Sequence, residues 1–307
     1  MGANTKEVKQ RLVSVKNTRK ITKAMELVAA SKMRKAVENT LRTRNYHNLA
    51  WGIMDRILSS QLWFNTNSPV KRFFEEPKEV QHTTVIVFTS NRGLAGAFNS
   101  NIVKQVIPHI KEHGKEAVEI ITIGAKGASM LSSFGATIAL AYQKNDTAAD
   151  DSSIRQAAEH VYHAFRNKKT DRVMVAYTDY KNAMTQNAVI KQLYPFTRET
   201  QVGIDTNGKK HEQEKNIEAP KNLEYLYEPS KYDLLDYLAL RIAQAEVYQA
   251  LLESNASEHA SRMIAMKNAS DSARDMADAL QLEYNKARQA AITQEIAEIS
   301  AGATAVS

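Results

Sequence analysis

The stretch Ser90-Asn-Arg-Gly-Leu-Ala-Gly-Ala-Phe-Asn99 follows a β-rich run and places two glycines in a turn that enters a helical pattern. Such a turn can leave backbone N–H groups free to hold a phosphate at a helix N-terminus. Gly93 and Gly96 lack the spacing of the dinucleotide fingerprint, however, and no Gly-Lys-Ser/Thr follows. Gly124-Ala-Lys-Gly127 fails the same tests. Both read as tight strand-to-helix turns. His109 and His113 are four apart on a helical stretch, like a zinc pair, but the Glu that such a pair requires is missing and no third ligand stands out. His160 and His163, three apart on another helical stretch, read as surface residues. No Ser/His/Asp order or paired-carboxylate setting is evident. The residues therefore point to a chain with no catalytic centre, no cofactor site and no metal site of its own.

The elements that surround these turns say more. From Ser230 to Ala301 there is no Gly or Pro, over more than seventy residues. One helix of that length would rise roughly 100 Å, several times the width of a compact domain, so its own core cannot cover it. In its distal half, His259, Met266, Ala273, Leu280 and Ala287 recur every seventh residue, and so do Met263, Ser270, Ala277, Tyr284 and Ala291. That is an a/d-like seam built mostly of small residues, which lets two backbones approach while burying little apolar area. The proximal half is richer, with Leu234, Leu235, Leu238, Ile242, Ala245, Leu251 and Leu252.

The first segment is also helical in pattern. Gly and Pro are absent from Ala3 to Trp51, and Val8, Leu12, Val15, Ile21, Met25, Val28, Met33, Ala36, Val37 and Leu41 recur near helical spacing. Residues 1–60 hold thirteen Lys or Arg against four Asp or Glu, whereas residues 230–307 hold seven against eleven. A basic first helix returning beside an acidic last one predicts an antiparallel coiled coil. Charge selects that pairing and burial must hold it, since exposed ion pairs contribute only ~0–1 kcal/mol each.

Between the helices the period changes. Thr83–Thr89, Val118–Ile123 and Val173–Tyr177 are β-rich runs, separated by helical stretches at Asn99–His113 and Ser152–Asn167. Strands alternating with helices predict a parallel sheet in an open α/β layer. The expected organisation is an N-terminal coiled-coil helix at 1–60, a central α/β head at 61–229 and a C-terminal coiled-coil helix at 230–307. Residues 61–81 form the link on one side, and the polar loop 198–222 precedes the other boundary.

Composition narrows the function classes. The 307 residues include no cysteine, which excludes disulfides and thiolate metal sites. No secretory signal and no apolar run of about 18 residues is present, so the chain is expected to be soluble or peripheral, without a transmembrane span. The net charge of +7 permits nucleic-acid binding, but the basic first helix lacks interleaved aromatic residues.

Ile21–Lys35 (ITKAMELVAASKMRK) and Tyr284–Val306 (YNKARQAAITQEIAEISAGATAV) closely resemble the gamma subunit of F-type ATP synthases. TSNRGLAGAFN at 89–99, IGAKG at 123–127, YLYEP at 225–229 and ASRMIAMKN at 260–268 extend the likeness over nearly the whole chain. The resemblance implies a Rossmann-like head and a central shaft that couples proton or sodium flow to ATP synthesis on a ring of alpha and beta subunits. It implies further partners in the epsilon subunit and the membrane rotor-ring c subunits, and a peripheral location on the cytoplasmic face of the bacterial inner membrane. It places the catalytic sites on other subunits.

By the same resemblance Arg262, Arg288, Gln289 and Thr293 match shaft positions that touch the beta subunit. Met25, Lys20 and Lys23, with Lys32 and Arg34 nearby, match a neck facing an acidic segment of beta, and Tyr225, Tyr227 and Glu228 match the rotor-ring contact. Met25 also reads as seam packing and Tyr227 as core. The loop 201–222 is longer and more polar than in a compact bacterial member, and it lacks the cysteines of the plant-plastid insert. Two rival classes stand beside this: a nucleotide-dependent enzyme using the head, and a coiled-coil scaffold or nucleic-acid-binding protein with an α/β head.

Overall fold

Two long helices frame the chain, α1 at Ala3–Ser59 and α5 at Lys231–Val306. The structure is a computed structural model that describes residues 3–59, 69–114, 116–144, 152–196, 228 and 230–306. Helix α5 begins where Ser230 caps it: the Ser230 Oγ accepts the Asp233 N–H at 3.1 Å and donates to the Asp233 carboxylate at 2.6 Å. This satisfies one of the free N–H groups of the first turn and puts a negative charge at the positive end of the helix dipole. Helix α1 runs through Gly52 to Ser59, past Trp51, where the stretch free of Gly and Pro ends. A mid-helix Gly costs about 1 kcal/mol relative to Ala. Buried Ala50, Trp51 and Met54 on either side of Gly52 offset it.

The chain divides into two compact units, residues 1–30 with 262–307 and residues 31–261. In the first, α1 buries Val8, Leu12, Thr22 and Ala29, and α5 buries Met266, Ser270, Ala273 and Ala277. Leu280, Tyr284, Ala287 and Ala291 of the seven-residue seam are half-buried. The Lys16 ammonium donates to Gln281 Oε1 at 3.0 Å across the two helices. Ile21 and Val28, expected on the packed face of α1, are instead 61% and 57% exposed. The packed positions are Val8, Val15, Thr22 and Ala29, so the seam lies one residue further round the helix. Thr22 tolerates burial because its hydroxyl donates to the carbonyls of Thr18 and Arg19 at 3.0 and 3.1 Å. Leu41, in the second unit, is likewise exposed.

The second unit is built on a five-stranded sheet. Its strands are β1 (Thr83–Phe88), β2 (Val118–Ile123), β3 (Thr137–Tyr142), β4 (Arg172–Tyr180) and β5 (Gln186–Tyr194), in spatial order β3-β2-β1-β4-β5. The first four are parallel, and β5 pairs antiparallel to β4. The expected parallel, open α/β sheet is present, with one antiparallel strand added at that edge. The reason is the connection: β4 and β5 are joined by the short turn 181–185, in which Asn182 Oδ1 accepts the N–H groups of Met184 and Thr185. A turn this tight can join only antiparallel neighbours.

Alternation along β1 sorts the two faces. Val85 and Val87 pack with Ile102, Val103, Val106 and Ile110 of α2 (Phe98–His113) and Leu131 of α3 (Ala125–Ser133). Ile86 and Phe88 point the other way, to Ala157, Ala158 and Val161 of α4 (Ser152–Arg166) and to Ile242, Ala243, Val247 and Leu251 of α5. Each large aliphatic side chain removed from water there contributes about 1.5–3 kcal/mol. The short 3-10 helix Pro69–Phe74 inserts Phe73 among the rings of Tyr162, Phe165 and Tyr194, at 4.9–5.3 Å between centroids. Within this unit α1 and α5 run antiparallel, since Thr43 bonds Gln249 at 2.8 Å while Trp51 bonds Glu246 at 3.0 Å.

Candidate functional site

The two glycine turns meet at the carboxyl ends of β1 and β2, where an open α/β sheet would ordinarily receive a ligand. Here the chain's own side chains fill the place. At the start of α3, Ala125 N–H donates to Asn91 Oδ1, Lys126 N–H to the Ser90 carbonyl and Gly127 N–H to Thr89 Oγ1, at 3.4, 3.0 and 2.9 Å. These are the N–H groups a phosphate would need. Ser90 N–H donates to Asn99 Oδ1 at 2.9 Å, and the Asn99 amide returns a bond to Ser90 Oγ at 2.7 Å. Gly124, with φ +122, and Gly127 are required by close packing: a Cβ on either would stand within 2.6 Å of Thr89 atoms. The glycines thus serve backbone approach to Thr89.

Asn91 also grips the end of β3. Its amide donates to the Lys144 carbonyl at 2.5 Å and its Oδ1 accepts the Lys144 N–H at 3.0 Å. The Lys144 side chain, fully buried, forms an ion pair with Glu258 of α5 and lies 5.5 Å from the Phe98 ring centroid. Neighbouring residues of α5 join the sheet in the same way: Ser257 Oγ donates to the Thr178 carbonyl at 3.0 Å and Ser261 Oγ to Gln186 Oε1 at 3.1 Å.

Further along α5, Asp236 accepts from the Tyr162 hydroxyl at 2.6 Å and pairs with Arg166 at 3.0 Å, while the Tyr194 hydroxyl donates to the Ala239 carbonyl at 2.9 Å. Burial, and then the Asp236 carboxylate, push the Tyr162 hydroxyl well up from its ordinary value. Burial pushes the Glu253 carboxyl up to about 7, with Asp179 adding to the rise while the Gln249 amide and Lys191 oppose it.

The residues singled out from the sequence fall in different places. Arg288 and Gln289 are exposed on α5, and Thr293 is exposed but spends its hydroxyl on the Gln289 carbonyl at 2.9 Å. Arg262 is half-buried and has a partner. Lys20 and Lys23 are exposed on α1, Lys23 pairing with Glu26 at 2.9 Å, and Met25 is half-buried. These seven all belong to the unit formed by residues 1–30 and 262–307. Glu228 is exposed at a bend, whereas Tyr225, Tyr227 and the loop 201–222 lie outside the described residues. His109 is half-buried, and His160 and His163 are exposed. Among the described residues no three His, Asp or Glu side chains gather to hold a metal, and no helix is long and apolar enough to cross a membrane.

Lys144, Glu258, Ser257 and Asp236 escaped the sequence reading. The one available signal was the polar run Ser254–His259 within an otherwise apolar stretch of α5.

A five-stranded sheet pinned to α5 within residues 31–261, and α1 packed with α5 within residues 1–30 and 262–307, define an α/β protein with two long terminal helices. A family model described as ATP synthase matches residues 4–306. The ATP synthase gamma chain of Psychrobacter cryohalolentis is 39% identical over 307 residues, covering 99% of this chain and 100% of that one. That of Actinobacillus pleuropneumoniae is 37% identical over 306 residues, covering 99% and 100%. Among solved structures, a chain of the Tetrahymena thermophila mitochondrial ATP synthase central stalk and c-ring is 27% identical, with TM-score 0.59 and coverage of 81% of this chain and 99% of that one. A chain of the Euglena gracilis mitochondrial ATP synthase shares the fold at 21% identity, with TM-score 0.65 and coverage of 100% and 95%. The chain belongs to the family of ATP synthase gamma chains.

Proposed function

We propose that this chain is the central rotor shaft of an F-type ATP synthase, transmitting rotation between a membrane ring of c subunits and a ring of alpha and beta subunits. The observation that carries the reading is the likeness to gamma chains along the entire length, at 37–39% identity. The architecture supports it: α5 is 76 residues long and free of Gly and Pro from Lys231 to Ala301, and an uninterrupted helix resists bending where a Gly or Pro hinge would yield. Catalysis then resides on the partner subunits. The filled second glycine turn supports this, because the N–H groups of Ala125, Lys126 and Gly127 at the start of α3 are already bonded within the chain.

In this reading Arg262, Arg288, Gln289 and Thr293, with Met25, Lys20 and Lys23, face the beta subunit, and Tyr225, Tyr227 and Glu228 face the rotor ring. Residues 1–60 and 230–307 form the shaft and 61–229 the head, which also meets epsilon. The complex works at the cytoplasmic face of a bacterial membrane.

The test is reconstitution. Combined with purified alpha and beta subunits, the chain should yield an ATPase, while alone it should bind no ATP in the low-micromolar range. Failure of the wild-type chain to yield an ATPase would remove the rotor reading. Arg288→Ala with Gln289→Ala removes hydrogen bonds to a partner worth ~0.5–3 kcal/mol each. The double variant should fold normally and assemble, but turn over ATP more slowly. Unchanged turnover in the assembled complex would defeat the assignment of those two residues.

A further inference from the structure

We propose that the buried Lys144–Glu258 ion pair is a torsional key, locking α5 against rotation and slip within the head so that torque passes between them. The proposal rests on the rotor reading and adds positioning residues to it.

The geometry is specific. Lys144 is held through its main chain by both polar atoms of the Asn91 amide group, and through its side chain by Glu258 and the face of Phe98. Asn91 and Phe98 belong to the glycine turn, so the turn forms a socket whose occupant is a lysine of the same chain. On the other side, Glu258 is flanked by Ser257 and Ser261, each tied to a different strand, β4 and β5. Three polar attachments thus reach α5 within five residues, from three separate strand ends.

Stability alone does not account for this arrangement. Desolvating two charges offsets most of their attraction, and apolar side chains of similar volume commonly hold a core as well or better. What an apolar contact lacks is direction, because hydrophobic burial is insensitive to small rotations of one surface over another. Apart from Asp236, which bonds Tyr162 and Arg166 near the start of α5, the helix elsewhere meets the head through the apolar side chains of Ala239, Ile242, Ala243, Val247, Ala250 and Leu251. A charge pair with fixed partners on both sides resists the axial turning that such a surface permits. That resistance is what a helix delivering torque to a head requires.

The experiment uses the whole complex in sealed vesicles, with ATP hydrolysis and cation pumping recorded together by phosphate release and a potential-sensitive dye. Lys144→Met with Glu258→Leu replaces the key by an apolar pair of similar volume, and Lys144→Glu with Glu258→Lys exchanges the charges. Below the melting temperature, the apolar pair should hydrolyse ATP but lose pumping per ATP, and the exchanged pair should regain it. If the apolar pair assembles and pumps at the wild-type ratio, the proposal is overturned. Should it not assemble, Glu258→Gln keeps shape and volume without the charge, and a wild-type ratio there overturns the proposal equally. A wild-type complex that neither hydrolyses nor pumps would instead defeat the rotor reading.

Discussion

Glu253 shows how one side chain's surroundings set a property that its type does not. Packed on α5 against Asp179 of β4, it is desolvated beside a second carboxyl group and holds its proton up to about pH 7. In the unfolded chain it releases that proton near its ordinary value of 4.5. The folded state therefore binds the proton more tightly, and the stabilisation is fully present below about pH 4.5 and lost as pH rises to about 7. Glu253→Gln abolishes the loss. Chemical denaturation followed by circular dichroism should show the variant gaining on wild type between pH 5 and pH 8, by on the order of 2–3 kcal/mol. A pH-independent difference between the two proteins would contradict this account of Glu253.

For the elements, the decisive case is α5. Ala277 is 3% exposed in the middle of the small-residue seam, far from any cap. Pro at 277 deletes the bond to the carbonyl four residues earlier and clashes with the preceding turn, costing about 3 kcal/mol or more. The core of residues 31–261 does not include it, so its melting should change little. The loss should appear as failed assembly with alpha and beta, or as ATP hydrolysis without ion pumping. Ala277→Leu is the companion: the helix persists, but added methylenes in a close contact cost about 1–3 kcal/mol. If the Pro variant pumped ions like wild type, a continuous stiff helix would not be needed at that point.

At the scale of the molecule, what remains exposed matters as much as what is buried. Ile292, Ile296 and Ile299 lie on one face of the last turns of α5 and are 46%, 59% and 72% exposed. Apolar side chains aligned in this way mark a surface that a partner covers. In the rotor reading the alpha and beta ring covers it, removing up to about 1.5–3 kcal/mol of apolar exposure per residue. Replacing all three by Ser should therefore make the isolated chain less prone to self-association in sedimentation, and should loosen its hold on the ring in pull-down at equal helix content. Wild-type behaviour in both measurements would show that this face meets water in the complex as well.

The sequence by itself determined both long helices, the seven-residue seam of α5, three of the parallel strands and the helices α2 and α4, because each is written in a local period with few interruptions. The site residues Arg288, Gln289, Arg262, Thr293, Met25, Lys20 and Lys23 came from motif likeness, and nothing in their spacing alone could have found them. The tertiary structure decided the rest. Strands β3 and β5 sit at the sheet edges, where β3 exposes every second residue, most of β5 is only half-buried, and the apolar signal is diluted. The phase of the α1 seam turned on whether Ile21 or Thr22 packs inward, and the hydrogen bonds of Thr22 within its own helix made the polar residue the buried one. Lys144 and Glu258 are 114 positions apart and became partners only when the glycine turn, the end of β3 and α5 converged. Local periodicity records what each segment can bury, whereas a pairing across such a distance exists only once the sheet has formed and brought both charges out of water together.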